Sequence, residues 1–160
     1  MLVLSCERVR ELFSYDPMSG VLTWNVRTSN RVRIGDKAGV IGHHGYVLVR
    51  ADGVLHRAHR LCWLHYHGWL PSIDIDHIDG DRVNNAISNL RVATRSQNNA
   101  NSKVRRDNRL GVKGVSYDKD RGMFSASVCG VSLGRFDSIE AAKQAYDNEM
   151  KRQFGEYARL

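Results

Sequence analysis

Residues 74–101, DIDHIDGDRVNNAISNLRVATRSQNNAN, are the part of this sequence that decides the fold. An acid, Asp76, stands directly before His77, at the end of a short segment with strand-forming character. Asn89 lies twelve residues further on and immediately precedes a second apolar segment, residues 90–93. The pattern predicts two strands joined by a polar connection, with His77 ending the first strand.

A helix is predicted directly after the second strand. Thr94 and Gln97 form the capping-box pattern, in which Thr94 is the N-cap and Gln97 is the partner three residues later. Asn98 then falls in the first turn of the helix. The order strand, connection, strand, helix predicts that the polar side chains of Asp76, His77 and Asn98 converge on one point.

The chemistry of these side chains indicates a hydrolytic metal site. An imidazole accepts a proton near neutral pH, so His77 is a candidate general base. The Asp76 carboxylate and the Asn98 amide oxygen are hard donors that suit Mg²⁺ or Mn²⁺. Two protein ligands leave coordination sites open for water and phosphate oxygens, as cleavage of a phosphodiester requires. The alternative is a polar hairpin with Asp79-Gly80 as its turn. An EF-hand calcium loop explains the segment less well. Asp79-Gly80 does not continue the alternating spacing of Asp74 and Asp76, and no Glu closes the loop.

The same residues resemble the HNH nuclease motif, in the His-Asn-Asn version of phage and intron-encoded homing endonucleases. His77, Asn89 and Asn98 match the three motif residues, and Asp76 matches the acid before the histidine. The resemblance implies that His77 activates water and that Asp76 and Asn98 hold one divalent metal, while Asn89 braces the ββα-metal loop. Three other segments resemble sequences of the same family: HRLCW at 59–63, YDPMSGVLTW at 15–24 and GYVLVR at 45–50.

Charge and cysteine content limit the other possibilities. The chain has 160 residues, with 24 basic and 17 acidic side chains and a net charge of +7, which favours a polyanionic partner. The excess charge lies in residues 1–58 and 101–160, whereas residues 59–100 are neutral. Cys6, Cys62 and Cys129 are far apart, so neither structural zinc nor a disulfide framework is expected. No signal peptide or membrane span is recognisable, and a cytoplasmic protein is expected.

The N-terminal region, residues 1–58, is predicted to contain one helix, followed by a strand and a β-hairpin. The helix is expected at residues 5–14, capped by Ser5, with a strand at 21–24 and a loop at 25–36. A hairpin is expected at residues 45–57, because Asp52-Gly53 is a strong two-residue turn signal. A second helix at 59–67, ending at Gly68, begins the nuclease core of residues 59–101; Arg60 on it is a candidate phosphate contact.

Residues 102–110 form a predicted basic linker. The segment has almost no apolar side chains and carries Lys103, Arg105, Arg106 and Arg109. Such a segment can follow a DNA backbone, since each neutralised phosphate releases counterions and adds affinity. The alternative is a solvated tether, and a segment that orders only on DNA satisfies both interpretations.

The C-terminal region, residues 111–160, is predicted to be three strands packed on one helix. Strands are expected at 112–117, 123–129 and 131–136, and the helix from the N-cap Ser138 to Phe154. Alternation in the second strand predicts that Phe124, Ala126 and Val128 face the helix, which leaves the opposite sheet face open. The whole chain is therefore expected to be an α+β protein.

Two segments of this region, GVSYDKDRGMFSASV at 114–128 and LGRFDSIEAAKQAYDNEMKRQFGEYA at 133–158, resemble the APETALA-two (ethylene-response-factor) DNA-binding domain. The resemblance implies that the sheet enters the major groove. The base-reading arginines and tryptophans of that family are not present at the aligned positions, which include Ser127, Cys129 and Ser132. The candidate DNA contacts chosen by their chemistry are Lys113, Tyr117, Lys119, Arg121 and Arg135. A packing or protein-binding module is the alternative.

The sequence as a whole predicts a metal-dependent HNH endonuclease that cuts double-stranded DNA, with one Mg²⁺ or Mn²⁺ per site and a monomer as the favoured state. The competing hypothesis is a non-catalytic DNA-binding regulator derived from a nuclease. The presence of Asp76, His77, Asn89 and Asn98 together favours the enzyme.

Overall fold

The structure is a computed structural model, and it describes residues 4–160. The chain divides into two compact units, one ending at Thr94 and the other spanning Arg95–Leu160. This boundary lies inside the range 59–101 that the sequence groups as one core. The division into 1–58, 59–101, 102–110 and 111–160 stays a prediction.

The first unit contains, among its described residues, two helices and seven strands in three small sheets. In chain order they are α1 Cys6–Leu12, β1 Phe13–Asp16, β2 Val21–Trp24, β3 Val40–Ile41, β4 Val47–Ala51, β5 Val54–Arg57, α2 Ala58–His67, β6 Asp74–His77 and β7 Leu90–Ala93. The sheets are the β1–β2 hairpin, the β3-β4-β5 sheet and the β6–β7 pair, all antiparallel. The α+β class predicted from the sequence is confirmed.

The first helix ends two residues earlier than predicted. Ser5 caps α1 by accepting a hydrogen bond from the Arg8 amide, as expected. Phe13, however, adopts extended backbone and pairs with Trp24 in the β1–β2 hairpin, where the two ring centroids are 4.5 Å apart. Because Phe13 is fully buried against Trp24, strand pairing replaces the last turn of the predicted helix.

The hairpin predicted around Asp52-Gly53 is confirmed as β4 and β5. Asp52 and Gly53 have φ angles of 47° and 78°, the left-handed pair that a tight two-residue hairpin turn requires. The next helix, α2, ends as predicted at Gly68, which is left-handed with φ 82°. Leu61 and Leu64 of α2 lie in the core of the unit.

Strands β6 and β7 form the predicted pair. His77, the last residue of β6, is opposite Leu90, the first residue of β7. Between the strands lies a polar loop that ends in a 3₁₀ turn, Ile87–Asn89. The predicted helix follows as α3 Arg95–Ala100, which belongs to the second unit.

The second unit also contains the predicted sheet and long helix. Its strands are β8 Val115–Asp118, β9 Met123–Val128 and β10 Val131–Phe136, in the order β10-β9-β8, and its long helix is α4 Ile139–Phe154 with Ser138 as N-cap. The first strand begins at Val115, three residues later than predicted. Leu110 and Val112, which precede it, instead pack against the core of this unit.

The faces of this sheet follow the predicted alternation. Ala126 and Val128 are buried in the second core, and Phe124 packs against it. The register places Ser116 and Arg135 on either side of Ser125, so these three residues share the open face. Among residues 4–160, no helix is both long and apolar enough to span a membrane.

Candidate functional site

His77 is buried at the end of β6 and held through one ring nitrogen. Its Nε2 lies 3.0 Å from the side-chain oxygen of Asn85, which is itself buried. An amide oxygen only accepts hydrogen bonds, so His77 Nε2–H is the donor in this pair. The neutral ring then carries its basic lone pair on Nδ1, the nitrogen that can take a proton.

Asn85, like Arg91, is a residue of the site that the sequence did not point to. It belongs to the Asn84-Asn85 pair in the loop after β6, and that pair was the only available signal. Its position is set by residues distant in sequence, because the Tyr15 hydroxyl donates to the Asn85 carbonyl at 2.8 Å. The β1–β2 hairpin therefore helps to orient the side chain that holds His77.

A second set of contacts ties the same loop to the hairpin turn. The Ile87 amide donates to the Pro17 carbonyl at 3.0 Å. Gly20, with φ 72°, is so close that a Cβ atom there would lie 2.2 Å from the Ala86 nitrogen and 2.3 Å from the Asn85 carbonyl carbon. Only glycine fits this approach, and the turn and the loop are held together as one structure.

Asn89 connects the two ends of the loop. Its side-chain oxygen accepts from the Asp79 amide at 3.0 Å, and its amide nitrogen donates to Asp79 Oδ1 at 2.9 Å and to the Asn84 carbonyl at 2.8 Å. Burial raises the pKa of Asp79, but hydrogen bonds from Asp81, Asn84 and Asn89 outweigh burial and leave that pKa below its ordinary value. Asp79 is thus an ionised acceptor at the centre of the loop.

Asp76 is buried beside His77 and forms an ion pair with Arg91. Asp76 Oδ2 accepts from Arg91 Nη2 at 3.0 Å and from Arg91 Nε at 3.1 Å, across the β6–β7 pair. The two side chains are 6% and 12% exposed, so the carboxylate charge is compensated inside the protein. The carboxylate fits a hard divalent cation in its chemistry, and such a cation would share Asp76 with Arg91.

Asn98, the other predicted metal ligand, is half-buried on α3 in the second unit. Among residues 4–160 there is no group of three or more His, Cys, Asp or Glu side chains able to hold a metal. The two predicted ligands, the Asp76 carboxylate and the Asn98 amide oxygen, are too few to form such a group. The metal site stays a prediction.

Two aromatic neighbours complete the surroundings of His77. The His59 ring meets it edge-on with centroids 5.0 Å apart, and Tyr46 lies 5.3 Å from His59 and 6.1 Å from His77. Burial, together with the charges of His77, Arg57 and Arg60, lowers the pKa of His59 to about 3. His59 is therefore a neutral packing partner of His77 at ordinary pH.

The predicted linker contacts lie at the surface of the second unit. Lys103, Arg105, Arg106 and Arg109 are all exposed, and Arg105 forms an ion pair with Asp107 at 3.2 Å. Lys113 differs, because its Nζ donates to the carbonyls of Ala100 and Ser102 at 2.6 and 2.8 Å, and burial lowers its pKa. Lys113 thus ties the chain before β8 to the end of α3.

The remaining predicted contacts divide between the two sides of the sheet. Arg135 shares the open face, and Arg121 pairs with Asp118 at 3.0 Å, while Lys119 is exposed in the turn before β9. Tyr117 is opposite Phe124, with ring centroids 5.0 Å apart, and therefore lies on the helix side. Tyr117 is nevertheless 46% exposed, so it stays a candidate contact. In the first unit, Arg60 is half-buried on α2.

Comparison with known proteins identifies the region around this site. Residues 56–100 match the family model described as HNH endonuclease. The chain is 40% identical over 73 residues to "Protein 3.8" of Escherichia phage T7, covering 45% of this chain and 60% of that protein. It is 32% identical over 120 residues to "Uncharacterized HNH endonuclease L560" of Acanthamoeba polyphaga mimivirus, covering 74% of this chain and 63% of that protein.

A solved structure described as "DNA binding and cleavage by the HNH homing endonuclease I-HmuI" is also similar, with a TM-score of 0.45 and 19% identity, over 90% of this chain and 82% of that one. The chain spans about three fifths of the length of the two curated relatives it matches. The region shown to match the HNH endonuclease model is therefore residues 56–100, which contains His77, Asp76, Asn85 and Asn89.

Proposed function

We propose that this protein is a metal-dependent HNH endonuclease that hydrolyses phosphodiester bonds in double-stranded DNA, and that it serves a phage as a homing endonuclease acting as a monomer in the host cytoplasm. The observation that carries the proposal is the hydrogen bond from His77 Nε2 to Asn85, inside the segment that matches the HNH model. This hydrogen bond fixes the orientation of a buried histidine ring and leaves Nδ1 as its basic nitrogen.

In this proposal His77 is the catalytic base. Its Nδ1 takes a proton from the water that attacks the phosphorus atom, and proton transfer of this kind contributes about 10²–10⁴-fold to a rate. Asn89 supports the reaction by holding the loop after β6 through its hydrogen bonds to Asp79 and Asn84. Asn85 acts through His77 and is a positioning residue.

The proposed metal ligands are Asp76 and Asn98, and the metal is Mg²⁺ or Mn²⁺. When bound, the metal stabilises negative charge on the phosphate and on the departing 3′ oxygen. Arg91 orients the Asp76 carboxylate within the protein through its two hydrogen bonds. By family resemblance, the products carry 5′-phosphate and 3′-hydroxyl ends.

DNA affinity is assigned to the basic side chains outside the neutral region. We assign backbone contacts to the linker and to an APETALA-two-like C-terminal module, whose open sheet face carries Arg135. The supporting observation is the surplus of positive charge in residues 101–160 together with the exposure of the linker cations. The proposed contacts in full are Arg60, Lys103, Arg105, Arg106, Arg109, Lys113, Tyr117, Lys119, Arg121 and Arg135.

One observation favours the competing function, a DNA-binding regulator without catalysis. Arg91 already compensates the charge of Asp76, as expected in a protein that has no metal to bind there. The presence of the base with its positioning residue favours the enzyme, because a regulator has no need of a histidine with an oriented basic nitrogen.

A plasmid-nicking assay with the full-length chain separates the two functions. We expect relaxed or linear plasmid in the presence of Mg²⁺ or Mn²⁺, and unchanged supercoiled plasmid in excess EDTA. The matched control is His77→Ala. Retention of supercoiled DNA by the wild-type protein with either metal, under conditions in which it binds DNA, would establish the regulator instead.

A further inference from the structure

Two arginines lie against a single tyrosine ring in the first unit. The guanidinium carbon of Arg57 is 4.6 Å from the centre of the Tyr46 ring, and that of Arg82 is 4.7 Å from it. The three residues come from separate parts of the chain: Tyr46 precedes β4, Arg57 ends β5, and Arg82 lies in the loop after β6. Tertiary folding therefore assembles this group, which we call the Arg57–Tyr46–Arg82 stack.

The stack is next to His77. The Tyr46 ring centroid is 6.1 Å from that of His77, and Tyr46 itself is half-buried. Both arginines are exposed. Two solvent-exposed positive charges are thus held against the aromatic ring that neighbours the proposed catalytic base.

The two guanidinium groups are not neutralised in the way that Arg91 and Arg8 are. Arg91 pairs with Asp76, and Arg8 pairs with Asp52. Within residues 4–160, no ion pair includes Arg57 or Arg82. Two like charges on one ring repel each other, and an anion bound to both would offset that repulsion by its attraction to each.

The stack is also preorganised. Arg82 Nη1 donates to the His44 carbonyl at 2.7 Å, so its guanidinium has two fixed contacts, the carbonyl and the ring. An exposed cation–π contact contributes about 0.5–1 kcal/mol, enough to bias the orientation of a long side chain. A guanidinium held in this way keeps its remaining N–H donors for a phosphate, whose oxygens match the fork geometry.

A purely structural role is the alternative, since arginine stems often cover aromatic surface while the charged head stays in water. One arginine is sufficient to cover a ring. Two unpaired arginines beside the proposed base are better explained by an anionic ligand.

We propose that Arg57 and Arg82, stacked on Tyr46, form a phosphate clamp that binds the backbone of double-stranded DNA next to His77. The inference rests on the proposed nuclease function and adds the residues that seat the DNA backbone at the site. Neither residue touches the reacting atoms in this proposal; the clamp sets affinity and the position of the backbone.

The test is the salt dependence of binding to a fluorescent DNA duplex, measured in EDTA so that no cleavage is needed. Removing one phosphate-binding charge should lower the slope of log K against log salt by roughly 0.9, so Arg57→Gln and Arg82→Gln should each have this effect and the double variant about twice as much. The double Arg→Lys variant, which keeps both charges, should retain most of the slope. Tyr46→Leu should weaken binding, whereas Tyr46→Phe, which keeps the ring, should not.

The control for net charge is Lys151→Gln, an exposed position on α4. An equal fall in slope for this variant, or an unchanged slope for the double Gln variant, would overturn the clamp. Retention of the slope by the Lys variant shows that positive charge at these two positions sets the slope, and an unchanged thermal unfolding midpoint of the double Gln variant excludes misfolding as the cause. A wild-type protein that binds DNA and does not cut it with metal contradicts the nuclease function alone, because the slopes still report on the clamp. A wild-type protein that does not bind DNA contradicts both.

Discussion

His77 Nε2 donates a hydrogen bond to the side-chain oxygen of Asn85, 3.0 Å away, and both side chains are buried. Asn85 is in turn fixed by Tyr15 of the β1–β2 hairpin. A distant part of the chain therefore helps to hold the residue that contacts the His77 ring.

We expect Asn85→Leu to slow cleavage by more than about 10-fold while DNA binding is unchanged, because the His77 ring is left without its acceptor and rotates or changes tautomer. Asn85→Asp keeps an acceptor oxygen and should restore most of the rate. Nitrogen-detected NMR of the His77 ring is the second measurement: Nε2 should carry the hydrogen in the wild-type protein and in Asn85→Asp. A wild-type rate and tautomer in Asn85→Leu would exclude the positioning role.

His77→Ala should reduce cleavage by about 10²–10⁴-fold with little effect on DNA affinity, because only the proton acceptor is removed. Single-turnover cleavage and duplex binding are the measurements. The matched control is His43→Ala, a histidine exposed to solvent. If His77→Ala cuts at the rate of the control, the base has been assigned to the wrong residue.

The metal prediction concerns Asp76. Mn²⁺ should raise the thermal unfolding midpoint of the wild-type protein, since a ligand that binds only the folded state at 100 times its Kd adds about 2.7 kcal/mol. Asp76→Asn should abolish this shift. Asp74→Asn removes an exposed carboxylate from the same strand and should retain it. Equal shifts in the two variants would show that the metal binds elsewhere.

Gly20→Ala should destabilise the first unit more than an ordinary substitution at a left-handed glycine. Gly35 is the matched control, because its φ is 87° and a Cβ there has no neighbour within 4 Å. Gly35→Ala reports the backbone cost alone, roughly 1–2 kcal/mol. Gly20→Ala should cost about 1–3 kcal/mol more, because its Cβ overlaps the Asn85–Ala86 backbone.

Urea unfolding, monitored by tryptophan fluorescence, measures this difference in the free energy of unfolding of the first unit. All three tryptophans, Trp24, Trp63 and Trp69, belong to the first unit. Equal free energies of unfolding for Gly20→Ala and Gly35→Ala would show that the turn and the loop can separate without cost.

His59 makes a prediction for the pH dependence of stability. Its pKa is lowered from 6.5 to about 3 in the folded protein, so the unfolded chain binds a proton first as the pH falls. Stability should therefore decrease from pH 6.5 towards pH 3, by at most about 1.36 kcal/mol per pH unit from this group. His59→Phe should have a shallower slope over that range, and the exposed His43→Phe should not. If the stability of the wild type and of His59→Phe had the same dependence on pH, His59 would not be buried in its neutral form.

The sequence by itself determined the elements that depend on local signals. The short segments around Ile75 and at residues 90–93 specified β6 and β7, the Asp52-Gly53 pair specified its hairpin, and Ser138 with the periodic apolar residues specified α4. In these cases the information lies within a few residues, because turn conformation, capping and amphipathic periodicity are local properties. The motif residues around His77 were recognisable for the same reason.

Only the tertiary structure decided what surrounds those residues. No spacing rule links Asn85 to Tyr15, Asp76 to Arg91, or Tyr46 to both Arg57 and Arg82, since each pair forms when separate strands and loops pack together. The first helix ended early for the same reason, because burial of Phe13 against Trp24 outweighs a helix propensity of less than about 1 kcal/mol per residue. Local propensities are small beside the burial of a large side chain, so long-range packing set the surroundings of His77 and the end of α1.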